Sequence, residues 1–201
     1  MPSKKSKFRS GFVAIIGRPN AGKSTLLNAL VGKKVSIVTE KPQTTRNRIL
    51  GIVNEEGCQI ILMDTPGIHK PLFKLNKKMM SHVHDSLQHK DLVLLIVDVS
   101  KEFGRGDQFV LDLLKNSKGK RFLLLNKVDL IHKPKLLPFM DRYRQNILFD
   151  ETIPISALSG EGIDKVLVEI RKVLPDGPQY FPEDMHTDQP ERFLASEIIR
   201  E

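Results

Sequence analysis

Gly17-Arg18-Pro19-Asn20-Ala21-Gly22-Lys23-Ser24 is the stretch from which the rest of this chain is read. Its spacing is G-x-x-x-x-G-K-[ST], a pattern that turns backbone N–H groups inward around phosphate oxygens. The pattern carries weight only between a strand and a helix, and both flanks supply that context. Phe12-Val13-Ala14-Ile15-Ile16, bounded by Gly11 and Gly17, predicts a short buried strand. The run from Ser24 through Thr25 to Val31, ended by Gly32, predicts a helix. The helix start adds unpaired N–H groups and partial positive charge. In this frame Lys23 reaches the β- and γ-phosphates of a nucleotide, and the Ser24 hydroxyl ligates Mg²⁺. The competing reading is a chance match on a tight structural turn.

Strand and helix signals alternate beyond this unit. Residues 33–46 lack helical periodicity and contain Pro42, so a loop is expected. Arg48–Val53 and Gln59–Met63 read as strands joined by Asn54-Glu55-Glu56-Gly57, a hairpin signal that makes them antiparallel. Further strands are expected over Leu92–Val97, Arg121–Leu125 and Thr152–Ile155. Helices are expected over Asn76–Gln88, Asp107–Lys115, Pro134–Leu148 and Ile163–Leu174. The alternation implies an α/β domain with a mostly parallel sheet, whose ligands sit at the carboxyl ends of the strands. Pro175-Asp176-Gly177-Pro178 breaks the pattern, and 176–190, rich in proline and acids, reads as a linker. Glu191–Glu201 reads as a helix, with two readings open: the start of a further domain, or a terminal helix packed back on the same one.

Composition sets the outer bounds. The 201 residues, 40% hydrophobic and 28% charged, suit a globular protein with one ample core. The single cysteine, Cys58, excludes an intrachain disulfide and a cysteine-based zinc site, and fits a reducing cytoplasm. No apolar run approaches the roughly 20 residues of a membrane span, and no signal peptide is visible. The formal net charge is +8, half of it from Lys4, Lys5, Lys7 and Arg9 in a basic head at 1–10. That head reads as a solvated tail or as weak contact with RNA or anionic lipid. His69 adjoins a turn and reads as a loop histidine. His82, His84, His89, His132 and His186 form no metal-ligand pattern.

Two further motifs fall at strand ends. In Asp64-Thr65-Pro66-Gly67 the acid can hold Mg²⁺ through a water, and the Gly67 N–H can meet the γ-phosphate. In Asn126-Lys127-Val128-Asp129 the Asp129 carboxylate offers two acceptors to the paired N1–H and amine of guanine. Adenine presents a lone pair there, and sites that pair a polar edge reject such analogues by on the order of 10⁴ or more. Asn126 can bond N7 and tie loops together, while the Lys127 stem covers the base face. Ser156-Ala157-Leu158-Ser159-Gly160 follows the last strand, with the Ala157 N–H placed for guanine O6. The base-reading motif disfavours a P-loop ATPase or kinase.

Together these pieces resemble the guanine-nucleotide motifs of translation-factor-type GTPases. With Pro42-Gln43-Thr44-Thr45-Arg46 and the tail Phe181-Pro182-Glu183-Asp184 through Ala195–Glu201, the resemblance narrows to the bacterial Era family. It implies a P-loop NTPase fold: a three-layer sandwich on a six-stranded, mostly parallel sheet with one antiparallel strand. It divides the chain into a GTPase domain at 11–175, a linker at 176–190, and at 191–201 the first helix of a KH RNA-binding domain. GTP or GDP with Mg²⁺ is the implied ligand, contacted by Gly17–Thr25, Asp64, Thr65, Pro66, Gly67, Ile68, Asn126, Lys127, Asp129, Ser156 and Ala157. Mg²⁺ would lie between Ser24, Thr45 and Asp64; spacing does not separate Thr44 from Thr45, and the resemblance favours Thr45. Hydrolysis would rest on Lys23, Thr45, Gly67 and Asn20. Ile68 stands where Ras-like enzymes carry a water-orienting glutamine, so slow hydrolysis is expected. Asn20 and the Thr39–Thr44 loop suggest K⁺ as a helper charge. The implied role is in small ribosomal subunit assembly and 16S rRNA maturation, in a monomeric cytoplasmic protein with peripheral contact to the cell membrane. The alternative is a GTP/GDP-gated binding module with negligible hydrolysis.

Overall fold

A computed structural model describes residues 7–36, 38, 49–68, 83 and 85–190. Among these residues six strands form one sheet: β1 (Arg9–Ile16), β2 (Ile49–Glu55), β3 (Cys58–Asp64), β4 (Leu92–Asp98), β5 (Lys120–Asn126) and β6 (Glu151–Ile155). Their order is β2-β3-β1-β4-β5-β6. Only β2 runs antiparallel, paired to β3 from Ile49↔Asp64 to Glu55↔Cys58. The other neighbours are parallel, as expected of an α/β sandwich whose strands are linked by crossovers.

Alternation along β1 assigns the two faces. Val13 and Ile15 point toward α1 (Lys23–Val31) and α4 (Ile163–Val173), where they meet Leu26, Leu27, Leu30, Val166 and Ile170. Ile16, Val93, Leu95, Leu123 and Leu125 face the other way, against Val110, Leu111 and Leu114 of α2 (Arg105–Lys115) and Tyr143 of α3 (Leu136–Arg144). Val83 and Leu87, in the described part of the helix expected over 76–88, join the second layer. Residues 76–82 and 84 of that helix lie outside the described residues, as do the switch-like stretch 39–48, His69, His82 and most of the basic head. The helix expected over 191–201 also falls there.

The helix expected over 134–148 is shorter and starts differently. Lys133–Lys135 form a 3₁₀ turn and α3 runs only from Leu136 to Arg144. Pro138 is tolerated because the first N–H groups of a helix lack intrahelical acceptors. The chain then leaves the helix through Asn146 and Ile147, whose N–H groups both bond Tyr143 O, at 3.1 and 3.3 Å.

Residues 176–190 lie against the sheet as a strap. Thr187 bridges Gly51 in antiparallel sense, and the Ile52 N–H donates to His186 O at 2.9 Å. Phe181 covers Ala14, Leu50, Ile61 and Met63, and Tyr180 packs on Phe12 with ring centroids 5.2 Å apart. Gln59, fully buried, fixes the strap at its middle. Its amide donates to Asn54 Oδ1 (2.7 Å) and Phe181 O (2.8 Å), and its oxygen accepts the Tyr180 and Phe181 N–H groups (2.8 and 3.0 Å).

Candidate nucleotide-binding site

The glycine loop leaves β1 and enters α1 through Gly22, whose φ of 101° is left-handed. No side chain caps α1, so its first N–H groups remain for an anion. The loop is also too tight for side chains at its glycines. A Cβ on Gly17 would lie 2.4 Å from the Ile96 carbonyl oxygen, and one on Gly22 2.3 Å from Asn126 Nδ2. Asn20, exposed at the loop apex, has φ of 60°, a conformation asparagine tolerates better than most residues.

Lys23 is buried, and its Nζ donates to Arg18 O at 3.0 Å. Burial drives its ammonium below the ordinary lysine pKa, while the Asp64 carboxylate pulls it back up. The Ser24 hydroxyl donates to Asp64 Oδ2 at 2.8 Å, and the Ser36 hydroxyl reaches the same oxygen at 3.2 Å. Ser24 and Asp64 therefore meet as expected of a shared magnesium site; Thr45, the third expected ligand, lies outside the described residues. The donor set is hard oxygen, which suits Mg²⁺. Together with the glycine cradle and a buried lysine, it fits a magnesium-bound polyphosphate.

The segment after β3 is sewn to the loop. Thr65 Oγ1 donates to Ile15 O at 2.8 Å and the Ile68 N–H to Gly17 O at 2.9 Å. Gly67 lies flat on Pro19, where a Cβ would come within 2.8 Å of Pro19 Cα. The side chains of three of the expected contact residues, Thr65, Pro66 and Ile68, are engaged within the protein. The Thr65 hydroxyl is spent on the backbone of β1, and Pro66 is buried beside it. Ile68 has its N–H committed to Gly17 and its side chain fully buried with Ile16 and Val83, a core position.

At the other end of the site, Asn126 joins three loops. Its Nδ2 donates to Ala21 O at 2.8 Å and its Oδ1 accepts the Ala157 N–H at 2.9 Å, while the main-chain carbonyl of Asn126 accepts the Val99 N–H at 3.0 Å. The Ala157 N–H, expected to meet a base oxygen, is thus directed at Asn126. Ser156 is fully buried and builds its own turn: its Oγ accepts the Ser159 N–H at 3.2 Å and its carbonyl the Gly160 N–H at 2.9 Å. Lys127 has φ of 69°, which turns the chain into the 3₁₀ turn Val128–Leu130 and leaves Asp129 exposed. Lys127 Nζ sits 2.6 Å from Asp98 Oδ2 at the end of β4. Burial raises the Asp98 pKa, but hydrogen bonds from Lys127 and Ser100 outweigh it and hold the carboxyl below its ordinary value.

Sequence reasoning missed four contributors. Asn28 accepts the Val35 and Ser36 N–H groups, each at 2.9 Å, and so places Ser36 on Asp64. Asp98 and Asp107 pair with Lys127 and Arg18. An acid at the third helical position after Gly104 marks Asp107 as a cap, but no local signal shows its charge partner. Among the described residues no group of three or more His, Cys, Asp or Glu side chains could hold a metal, and no helix is long and apolar enough to cross a membrane.

Residues 12–127 match the family described as "50S ribosome-binding GTPase". GTPase Era of Syntrophus aciditrophicus is 55% identical over 194 residues, 96% of this chain and 63% of the relative. A crystal structure of Era with MgGDPNP and nucleotides 1506–1542 of 16S ribosomal RNA superposes with a TM-score of 0.88 at 40% identity, covering 96% of this chain and 66% of that one. A point variant of Aquifex aeolicus Era bound to GDP.AlF4- gives 0.87 at 40% identity, with the same coverage. The chain thus spans somewhat under two thirds of the length of these relatives. A closely superposing fold, a loop too tight for side chains and this degree of identity lead to one conclusion: the chain belongs to this GTPase family and, within it, to the Era-type GTPases.

Proposed function

We propose that the chain binds GTP and GDP with Mg²⁺ and hydrolyses GTP to GDP and phosphate, acting as a molecular switch. The observation that carries this reading is the Asn126 amide, which ties the phosphate loop at Ala21 to the loop after β6 at Ala157. A purine held at Asp129 and a phosphate chain held at Lys23 are then gripped by one connected rim. Ser24 and Asp64 would hold the magnesium ion, which neutralises phosphate charge when bound. Lys23 supplies a buried cation beside the same phosphates, and the α1 N–H groups orient them.

Ile68 lies in the core and offers no group to orient water. Turnover in isolation is therefore slow, and K⁺ near Asn20 is the proposed helper charge. The burial of Ile68 also supports the second reading, a nucleotide-gated binding module with negligible hydrolysis. Single-turnover hydrolysis in KCl and in NaCl at equal ionic strength separates them. Faster cleavage in KCl supports the K⁺-assisted switch, and no cleavage in either salt leaves the gated module. Equal uptake of ATP and GTP in the presence of Mg²⁺ would remove both.

The Era structure with 16S ribosomal RNA supports a wider role in small-subunit assembly and rRNA maturation. RNA contact would then belong to the KH domain of the longer relatives. A cytoplasmic location with peripheral membrane contact is proposed on the same resemblance.

A further inference from the structure

Arg18 belongs to the glycine loop, yet its guanidinium is committed elsewhere. Its Nη1 lies 2.7 Å from Asp107 Oδ2 on α2. Gly106 makes room for it, since a Cβ there would come within 2.8 Å of Arg18 Nε. Asp107 is a buried carboxylate with three donors from three parts of the fold. Besides Arg18 it accepts the Gly104 N–H at 2.9 Å and the Tyr143 hydroxyl of α3, also at 2.9 Å. Tyr143 is itself locked, edge-on to Phe103 and stacked on Phe139. A buried charge is costly unless so fully paired, and the pairing makes this corner rigid. The other end of Arg18 is as firmly used: its carbonyl accepts Lys23 Nζ at 3.0 Å and the Ala21 N–H at 3.3 Å.

We propose that Asp107 is a positioning residue for the phosphate loop: through the Arg18 side chain it fixes the Arg18 carbonyl that docks Lys23, and so sets affinity for the β-phosphate end of the nucleotide. The proposal rests on the nucleotide-binding reading above. Asp107 itself touches the loop only through Arg18. Its loss therefore weakens the grip on the distal phosphates and leaves the base-reading corner at Asn126 and Asp129 untouched.

The test compares GDP with GMP, which lacks the β-phosphate, by calorimetry on the whole chain. Wild type, Asp107→Asn, Arg18→Gln, the double variant and Arg18→Lys are measured. Each single loss is expected to shrink the GDP-over-GMP affinity ratio about tenfold, as for one hydrogen bond to a charged group. The double variant should fall no further than the worse single, and Arg18→Lys should recover most of the ratio. Equal weakening of GDP and GMP, or multiplicative effects in the double variant, would overturn the proposal. Should Asp107→Asn fail to fold, the half-exposed Arg18 variants decide alone. A wild type that binds neither nucleotide sinks the nucleotide-binding reading itself, and this proposal with it. A wild type that prefers GDP beside Arg18→Gln with an unchanged ratio sinks this proposal only.

Discussion

Asn126 Nδ2 stands 2.8 Å from the carbonyl oxygen of Ala21, so the end of β5 and the glycine loop share one hydrogen bond. The pair is buried, and Asn126 Oδ1 closes a second bond to the Ala157 N–H. Replacing Asn126 by alanine strands one buried carbonyl and one buried N–H. The expected loss is about 2–4 kcal/mol of folding stability, together with guanine-nucleotide affinity. Urea unfolding of the nucleotide-free protein measures the first part; a change under about 1 kcal/mol, itself only about a fivefold population shift, would contradict it.

Lys23 makes a prediction of opposite sign. Its folded-state pKa lies below the ordinary value of 10.5, so at neutral pH the folded protein carries a charge it would rather release. Lys23→Met should therefore stabilise the nucleotide-free protein, by about 1 kcal/mol, while abolishing phosphate binding. The unfolded chain holds the lysine proton more tightly, so wild-type stability gains relative to the variant as pH rises toward 10.5. Denaturation curves at neutral and alkaline pH check both statements. A variant less stable than wild type at neutral pH, or a gap that widens with pH, would contradict them.

Asp129 is exposed on its 3₁₀ turn and carries no structural duty that its amide could not share. Asp129→Asn should leave stability within about 0.5 kcal/mol. It should turn preference from GTP to xanthosine triphosphate, whose C2 carbonyl accepts from an amide. Competition binding with the two nucleotides decides, and an unchanged GTP preference would rule out the base-reading role.

Gln59 saturates its side chain on the strap and on Asn54. Gln59→Leu keeps the bulk but leaves the Tyr180 and Phe181 N–H groups without this acceptor, and the Phe181 carbonyl with the Gln179 amide alone. A cost of about 2–4 kcal/mol is expected, with faster hydrogen exchange at residues 180 and 181. Protection equal to wild type at those amides would show that the strap is held by other contacts.

The sequence and the structure agree where the signal is local. Leu92–Val97 and Phe122–Leu125 are unbroken apolar runs, and such runs belong to strands covered on both faces. The glycine loop and the Asn126–Asp129 motif needed only their neighbours to be placed at strand ends. What stayed hidden was non-local. Proline and acids at 176–190 read as a spacer because Gln59, which binds it, lies 122 residues before Phe181. The Arg18–Asp107 pair spans 89 residues, and no periodicity links its members. The Ile68 side chain was legible as apolar, but its place in the core depends on Val83 and Leu87 arriving beneath it.

One consequence of the strap concerns encounters between molecules. β2 is the outermost strand on its side of the sheet, and an uncovered rim of that kind is a template for pairing with another chain. The bond from Ile52 to His186 and the Thr187 bridge to Gly51 occupy part of that rim from within. The 176–190 strap thus also shields part of the edge at which a second molecule could add a strand.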